Sequence, residues 1–288
     1  MSNIPLVEPP SRSTRLRRFF RSPKGLLILV LSALTVGAAV ANGVATIAPG
    51  VIGAVVTAML LDAPLLRRRK RKWVMPDGAL LTGLIVAMVL SAQAPWYVGA
   101  FASALGVAAK YFLRSRTANI FNPAALALLA AYVVFHSGQS WWGALPDLTP
   151  ALLEPVTLAV LLATGLLVAD RVSRGPAALS FLGAYYLLFT ANAFLGDPAH
   201  VAAIFRSSDL HAALFFAFFM VTDPPTSPPG PRNQIIFGAI VAGVSYAVFF
   251  FVGAVYYLLV GLLVANAWEA WRRVQAKPAH SAAKDHAL

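Results

Sequence analysis

A chain of 288 residues with 59% hydrophobic and only 12% charged side chains cannot coat a soluble globule, which carries about a quarter charged residues. Its net charge of +12 would suit nucleic acid, but the Lys and Arg residues sit in short segments between apolar runs, which points to membrane topology instead. The absence of cysteine excludes disulfides, thiolate zinc sites and ordinary iron–sulfur ligation by this chain.

From the N-terminus, Arg12, Arg15, Arg17, Arg18, Arg21 and Lys24 precede the apolar run Gly25–Val44. The run is longer than the core of a usual signal sequence, and a second apolar segment follows at once, so it reads as a retained first span. Apolar segments of about 20 residues, long enough to cross ~30 Å of hydrocarbon, recur along the chain. They predict spans at 25–44, 46–66, 77–92, 95–113, 119–136, 151–169, 175–195, 209–222, 233–252 and 254–271. The fold class is therefore all-α: a single polytopic membrane domain over 25–271, with halves 25–136 and 151–271. Tails 1–24 and 272–288 flank it.

The charges test this count. Ten spans with a cytoplasmic start put Arg67–Lys72, Arg114, Arg116, Arg171, Arg174, Arg232, Arg272, Arg273, Lys277 and Lys284 inside, with the N-terminal cluster. Lys110 lies near the inner end of its span, and Arg206 falls outside. Adding or removing one span scatters the cations over both faces. Both termini are thus expected on the cytoplasmic side of the membrane. The outer segments 93–96 and 137–142 carry tryptophans that suit an interfacial belt.

Two spans are short. Asp77–Leu90 and Asp209–Thr222 each cover about 14 residues, roughly 21 Å. They match in spacing, Asp77 to Met88 and Asp209 to Met220, and a proline-bearing polar segment follows each. They fall third and eighth in order. An odd offset of five spans makes the two halves inverted repeats, and paired short, interrupted spans point to a site at the midplane.

Polar residues at span ends supply the candidates. Asp77 and Asp209 begin short helices, where capping alone would explain them. Asp223 ends one. The segment Thr222-Asp-Pro-Pro-Thr-Ser-Pro-Pro-Gly-Pro cannot continue a helix and frees backbone carbonyls. It reads either as a rigid cytoplasmic turn or as a cavity lining bearing Thr222, Asp223, Thr226 and Ser227. Pro123 opens the fifth span beside Asn119 and Asn122. His136 and His211 both fall near the outer face, where an axial haem pair is geometrically conceivable and a structural role simpler. No Walker loop, hydrolase triad or zinc-binding spacing occurs, so no hydrolytic activity is expected.

Three stretches in order resemble the RnfD/NqrB family of membrane subunits in ion-pumping redox complexes. They are Asp77-Gly-Ala-Leu-Leu-Thr82-Gly-Leu; Lys110 followed by Asn119-Ile-Phe-Asn122-Pro-Ala-Ala; and Phe218-Phe-Met-Val-Thr222-Asp-Pro-Pro-Thr-Ser227-Pro. The resemblance implies a ten-span fold like that of urea transporters, with two inverted five-helix halves. It also implies FMN held on a threonine of a Ser/Thr-Gly-Ala-Thr type loop on the outer side. No such motif stands in 137–150 or 196–208, so covalent FMN is not expected, while non-covalent flavin stays open. The family's glycine-rich stretch after the lysine is here Arg114-Ser-Arg116-Thr, a cationic lip suited to phosphate or carboxylate.

The resulting expectation is an RnfD-like subunit of an electron-transport or transport assembly, without covalent FMN. Its cavity between the inverted halves would be lined by Asp77, Thr82, Lys110, Arg114, Arg116, Asn119, Asn122, Thr222, Asp223, Thr226 and Ser227. The alternatives are a stand-alone channel or carrier for a small organic molecule or natural-product intermediate, and a structural membrane scaffold. Expected partners are the lipid bilayer and other membrane or extracytoplasmic subunits, with no nucleic acid.

Overall fold

The computed structural model describes residues 19, 21–115, 118–146, 153–196 and 206–275. Within them the chain forms ten helices and no β-strand, only the isolated bridges Leu90↔Gln139 and Arg114↔Asn119. The helices are α1 (Pro23–Asn42), α2 (Val44–Lys70), α3 (Asp77–Val89), α4 (Trp96–Phe112) and α5 (Pro123–Phe135). After a 3₁₀ turn at Trp142–Ala144 come α6 (Glu154–Arg171), α7 (Gly175–Leu195), α8 (Ser207–Phe215), α9 (Pro231–Val252) and α10 (Tyr257–Gln275). The expected segments and the helices correspond one to one, with shifts of a few residues at their ends.

Local chemistry sets these ends. Ser22 caps α1 through Gly25 N–H at 3.1 Å, and Pro23 fills the first helical position. Gly43, at φ 80°, turns the chain directly into α2. The fifth helix begins at Pro123, later than expected, because Asn122 caps it by accepting from Ala124 N and Ala125 N, both at 3.0 Å. α8 does not close as an α-helix. It loosens into a π-helical stretch over Phe216–Val221 before the proline-rich segment stops it.

Three helices, Pro23–Asn42, Val44–Lys70 and Pro231–Val252, are long and apolar enough to cross a membrane by length and composition. The longer helices leave large apolar side chains such as Ile52, Leu60, Leu187 and Phe251 on the surface. The short helices do not. Every residue from Thr82 to Val89 and from His211 to Thr222 is buried, so protein encloses the elements that are too short to span.

The broadest contacts are α7 with α9 and α2 with α4, followed by α9 with α10, α2 with α3 and α4 with α5; α5 also touches α10, and α1 touches α6. Small residues permit two of the close crossings: a Cβ on Gly53 of α2 would lie 2.7 Å from Trp96 O, and one on Gly238 of α9 would collide with Ala177 O.

One expectation is corrected. Trp96 is 59% exposed, as a belt residue would be, but Trp141 and Trp142 are buried at 9% and 2%. They wedge between the short helices: Gly143 packs on Met88 of α3, and the Trp141 ring meets Phe215 and Phe216 of α8 edge-on. Short helices leave space at their outer ends, and the tryptophans fill it.

Candidate functional site

The three family-like stretches converge at one end of the bundle, where α3 begins and α8 stops. Asp77 holds Gly78 N–H with Oδ1 at 2.8 Å and faces Lys24 Nζ at 3.4 Å. Thr82, one turn on, spends its hydroxyl on Gly78 O at 2.9 Å. The start of α3 lies beside the last turn of α4, where a Cβ on Gly78 would sit in ordinary contact, 3.5 Å from Lys110 Nζ. The Lys110 ammonium lies in the fields of Asp62, Asp223 and Asp77. Asp62, buried in α2, accepts a hydrogen bond from Tyr111 Oη at 2.8 Å.

Asn122 joins the two halves. Its backbone N–H donates to Asn266 Oδ1 of α10 at 2.8 Å, and its Nδ2 donates to Met220 O, in the last turn of α8, at 3.3 Å. Asn266 continues the chain of bonds to Thr226 O at 3.2 Å. Thr226 donates its hydroxyl to Asp223 Oδ2 at 2.8 Å, and Ser227 donates to Asp223 O at 2.8 Å. Thr222 turns its hydroxyl back onto Phe218 O. Burial raises the Asp223 carboxyl above its ordinary value; the Thr226 hydroxyl and the charges of Lys110, Lys24 and Arg174 oppose that shift in part.

Asp77 and Asp223 therefore share the fields of Lys110 and Lys24. The Trp141–Gly143 wedge touches both short helices, while Asn122 reaches the last turn of α8. Arg114 and Asn119 close the base of the 114–119 loop as a bridge, and Arg116 lies outside the described residues.

Sequence reasoning did not place Glu269, Arg273, Arg174 or Asn266 at this site. Glu269 of α10, 1% exposed, binds Arg272 Nε at 2.8 Å and Arg273 Nε at 2.7 Å. Arg273 then clamps the proline-rich segment by donating to Pro225 O at 2.7 Å and Ser227 O at 3.0 Å. Arg174 Nε donates to Ser227 Oγ at 3.0 Å. Asn266 and Glu269, three residues apart in an apolar helix, were the available signal, because ionisable groups inside a span face protein or water. His211 is buried against Thr157 Oγ1 at 3.2 Å.

Two cavities lie away from this junction. One of about 10 Å³ sits beside Gly50, Leu90 and Trp142. The other, of about 450 Å³, is lined by Leu166, Asp170, Ser173, Gly175, Pro229 and Gln234, among others. No cluster of three or more His, Cys, Asp or Glu side chains able to hold a metal occurs among the described residues.

The model of the NQR2, RnfD, RnfE family matches residues 21–151 and 137–271. The chain belongs to this family. Among similar members, the D subunit of the ion-translocating oxidoreductase complex of Tolumonas auensis is 24% identical over 269 residues, covering 69% of this chain and 77% of its own. The protein of the same name from Pseudomonas aeruginosa is 28% identical over 245 residues, with 66% and 71% covered. That of Haemophilus influenzae is 34% identical over 103 residues, with 36% and 25% covered. In the first two the aligned length exceeds the share of this chain that takes part. Those family members thus carry stretches inside the matched region that this chain lacks.

Like its family, the chain is a membrane protein.

Proposed function

We propose that the chain serves as a membrane subunit of an ion-translocating electron-transport assembly, its functional centre being the Asp77–Lys110–Asn122–Asp223 junction between two inverted five-helix halves. The observation that carries this reading is the hydrogen-bonded path Asn122–Asn266–Thr226–Asp223, which ties two family-like segments across the interface of the halves. Polar residues so placed are costly in a membrane protein unless they are used. The α2–α4 and α7–α9 crossings, five helices apart, support the inverted repeat.

In this reading the chain has ten spans with both termini in the cytoplasm, carries no covalent FMN, and works beside other membrane or extracytoplasmic subunits in the bacterial inner membrane. A stand-alone carrier would need open space at the junction, where Asn122, Asn266, Thr226 and Asp223 instead bond to one another.

The test is affinity purification of the tagged chain from its own membranes, with identification of co-purifying subunits and an absorbance and intact-mass spectrum. Redox-active membrane subunits should co-purify, and the chain should have its unmodified mass. Isolation of the chain alone, with no electron-transfer defect in membranes of a deletion strain, would overturn the proposal.

A further inference from the structure

The second helix, α2, is long and apolar enough to cross a membrane, and its apolar stretch ends at Leu66. Val44–Leu66 rises about 34 Å, slightly more than the ~30 Å of a hydrocarbon core. Asp62, the only charged residue in that stretch, is buried and accepts a hydrogen bond from Tyr111 Oη. Arg67–Lys70 rise about 5 Å further, and the polar layer of a bilayer leaflet is about 5–7 Å thick. The four cations therefore emerge at the depth of the lipid phosphates and not beyond it.

The chain then folds back on this block. Arg71, at φ 58°, turns it out of the helix and brings the Trp73 ring over Arg67, whose guanidinium carbon lies 4.4 Å from the ring centroid. Trp73 thus lies beside the first cation of the block, the one nearest the hydrocarbon, where an indole ring settles well. Trp73 and Met75 are both exposed, as are all six cations Arg67–Lys72. No carboxylate of the described residues pairs with any of the six: Asp62 holds Tyr111, and Asp77 faces Lys24. A helix C-terminus favours a cation or two in its last turn, and topology requires only that the charge stay on one side. Neither calls for a tryptophan stacked on the first arginine, or for two further cations past the end of the helix.

We infer that the Arg67–Trp73 end of α2 is a binding surface for anionic phospholipid headgroups. The Arg67 guanidinium, one face covered by Trp73, keeps its N–H edge for phosphate oxygens. The other five cations supply a surplus of positive charge that no acid of the described residues offsets, while Trp73 and Met75 meet the upper acyl chains. A zwitterionic headgroup brings its own cation to the same phosphate, so the surface selects by net charge. An acidic protein would match the charge, but neither the depth of the block nor its apolar pair. The inference rests on reading α2 as a span and is independent of the electron-transport assignment.

Native mass spectrometry of the full chain, equilibrated with equimolar phosphatidylglycerol and phosphatidylcholine of identical acyl chains, tests it. Retention of the glycerol lipid is expected to exceed that of the choline lipid by about fivefold, the worth of one cation near an anionic surface. Raising the salt from about 0.05 M to about 0.5 M should at least halve that excess. The triple variant Arg68→Gln, Arg69→Gln, Lys72→Gln, at exposed positions without ion pairs, should reduce it below about twofold at unchanged thermal stability. Exchanging the same three residues as Arg68→Lys, Arg69→Lys and Lys72→Arg should keep it. The control Arg171→Gln, Arg206→Gln, Arg232→Gln removes as many exposed cations elsewhere and should also keep it. Equal retention of the two lipids, or an equal loss in the control, would overturn the site. Equal retention together with crosslinks from Lys70 and Lys72 to an acidic subunit in native membranes would assign the surface to a protein and overturn it too.

Discussion

Asn122 does two jobs with one amide. Its oxygen caps α5 through Ala124 N and Ala125 N, while its nitrogen holds Met220 O of α8. Asn122→Ala should therefore destabilise the fold by about 2 kcal/mol, one part for the cap and one for the bond between the halves. Asn122→Ser keeps a cap but cannot reach Met220, and should lose about half as much; equilibrium unfolding in detergent micelles reads both. Asp223 is a question of sign. Its folded carboxyl titrates above the ordinary 3.8, so the folded state holds more protons than the unfolded one between those two values. The stability it contributes is full below the ordinary value and is lost as pH rises through the raised one. Melting temperature against pH should carry that decline in the native chain and lack it in Asp223→Asn. A matching decline in the variant would assign the effect to another group.

At the scale of the elements, α10 acts as a clasp on the proline-rich segment. Glu269 aligns Arg273, and Arg273 holds Pro225 O and Ser227 O, so an acid four residues from a base fixes a segment that prolines bar from regular structure. Glu269→Gln leaves two arginines without their counter-charge. Because both are partly exposed, about 2 kcal/mol is expected, less than the 3–5 kcal/mol for a fully buried broken pair. Arg272→Ala should lose clearly less, since that arginine does not touch the segment. The α7–α9 crossing is set by Gly238, where a Cβ would meet Ala177 O and come within 2.7 Å of Phe181 N. Backbone cannot yield as a side chain does, and Gly238→Ala should destabilise by about 1–3 kcal/mol. Gly183→Ala, with nothing within 4 Å of the new methyl, is the matched control and should be neutral or slightly stabilising.

For the whole molecule, topology is the decisive measurement. Arg67–Lys72 follow directly on the apolar part of α2, and all six are absent from the ion pairs of the described residues. Such a block stays on the cytoplasmic side of a span. Reporter fusions at Arg69 and Ser140 should mark opposite faces, and the same face for both would refute a ten-span arrangement with cytoplasmic ends.

The order of the helices and their approximate bounds were legible in the chain itself, because hydropathy, proline placement and charge act locally. So were Asn122, Asp223 and Lys110 as residues needing a reason. What the sequence could not supply was their bonding. Asn266 and Glu269 lie some 40 residues beyond the segment they hold, and only packing of α10 against α5 brings them there. Trp141 and Trp142 read locally as belt residues. They are buried because α3 and α8 are both short, a fact about two helices far apart in the chain that only the tertiary structure combines.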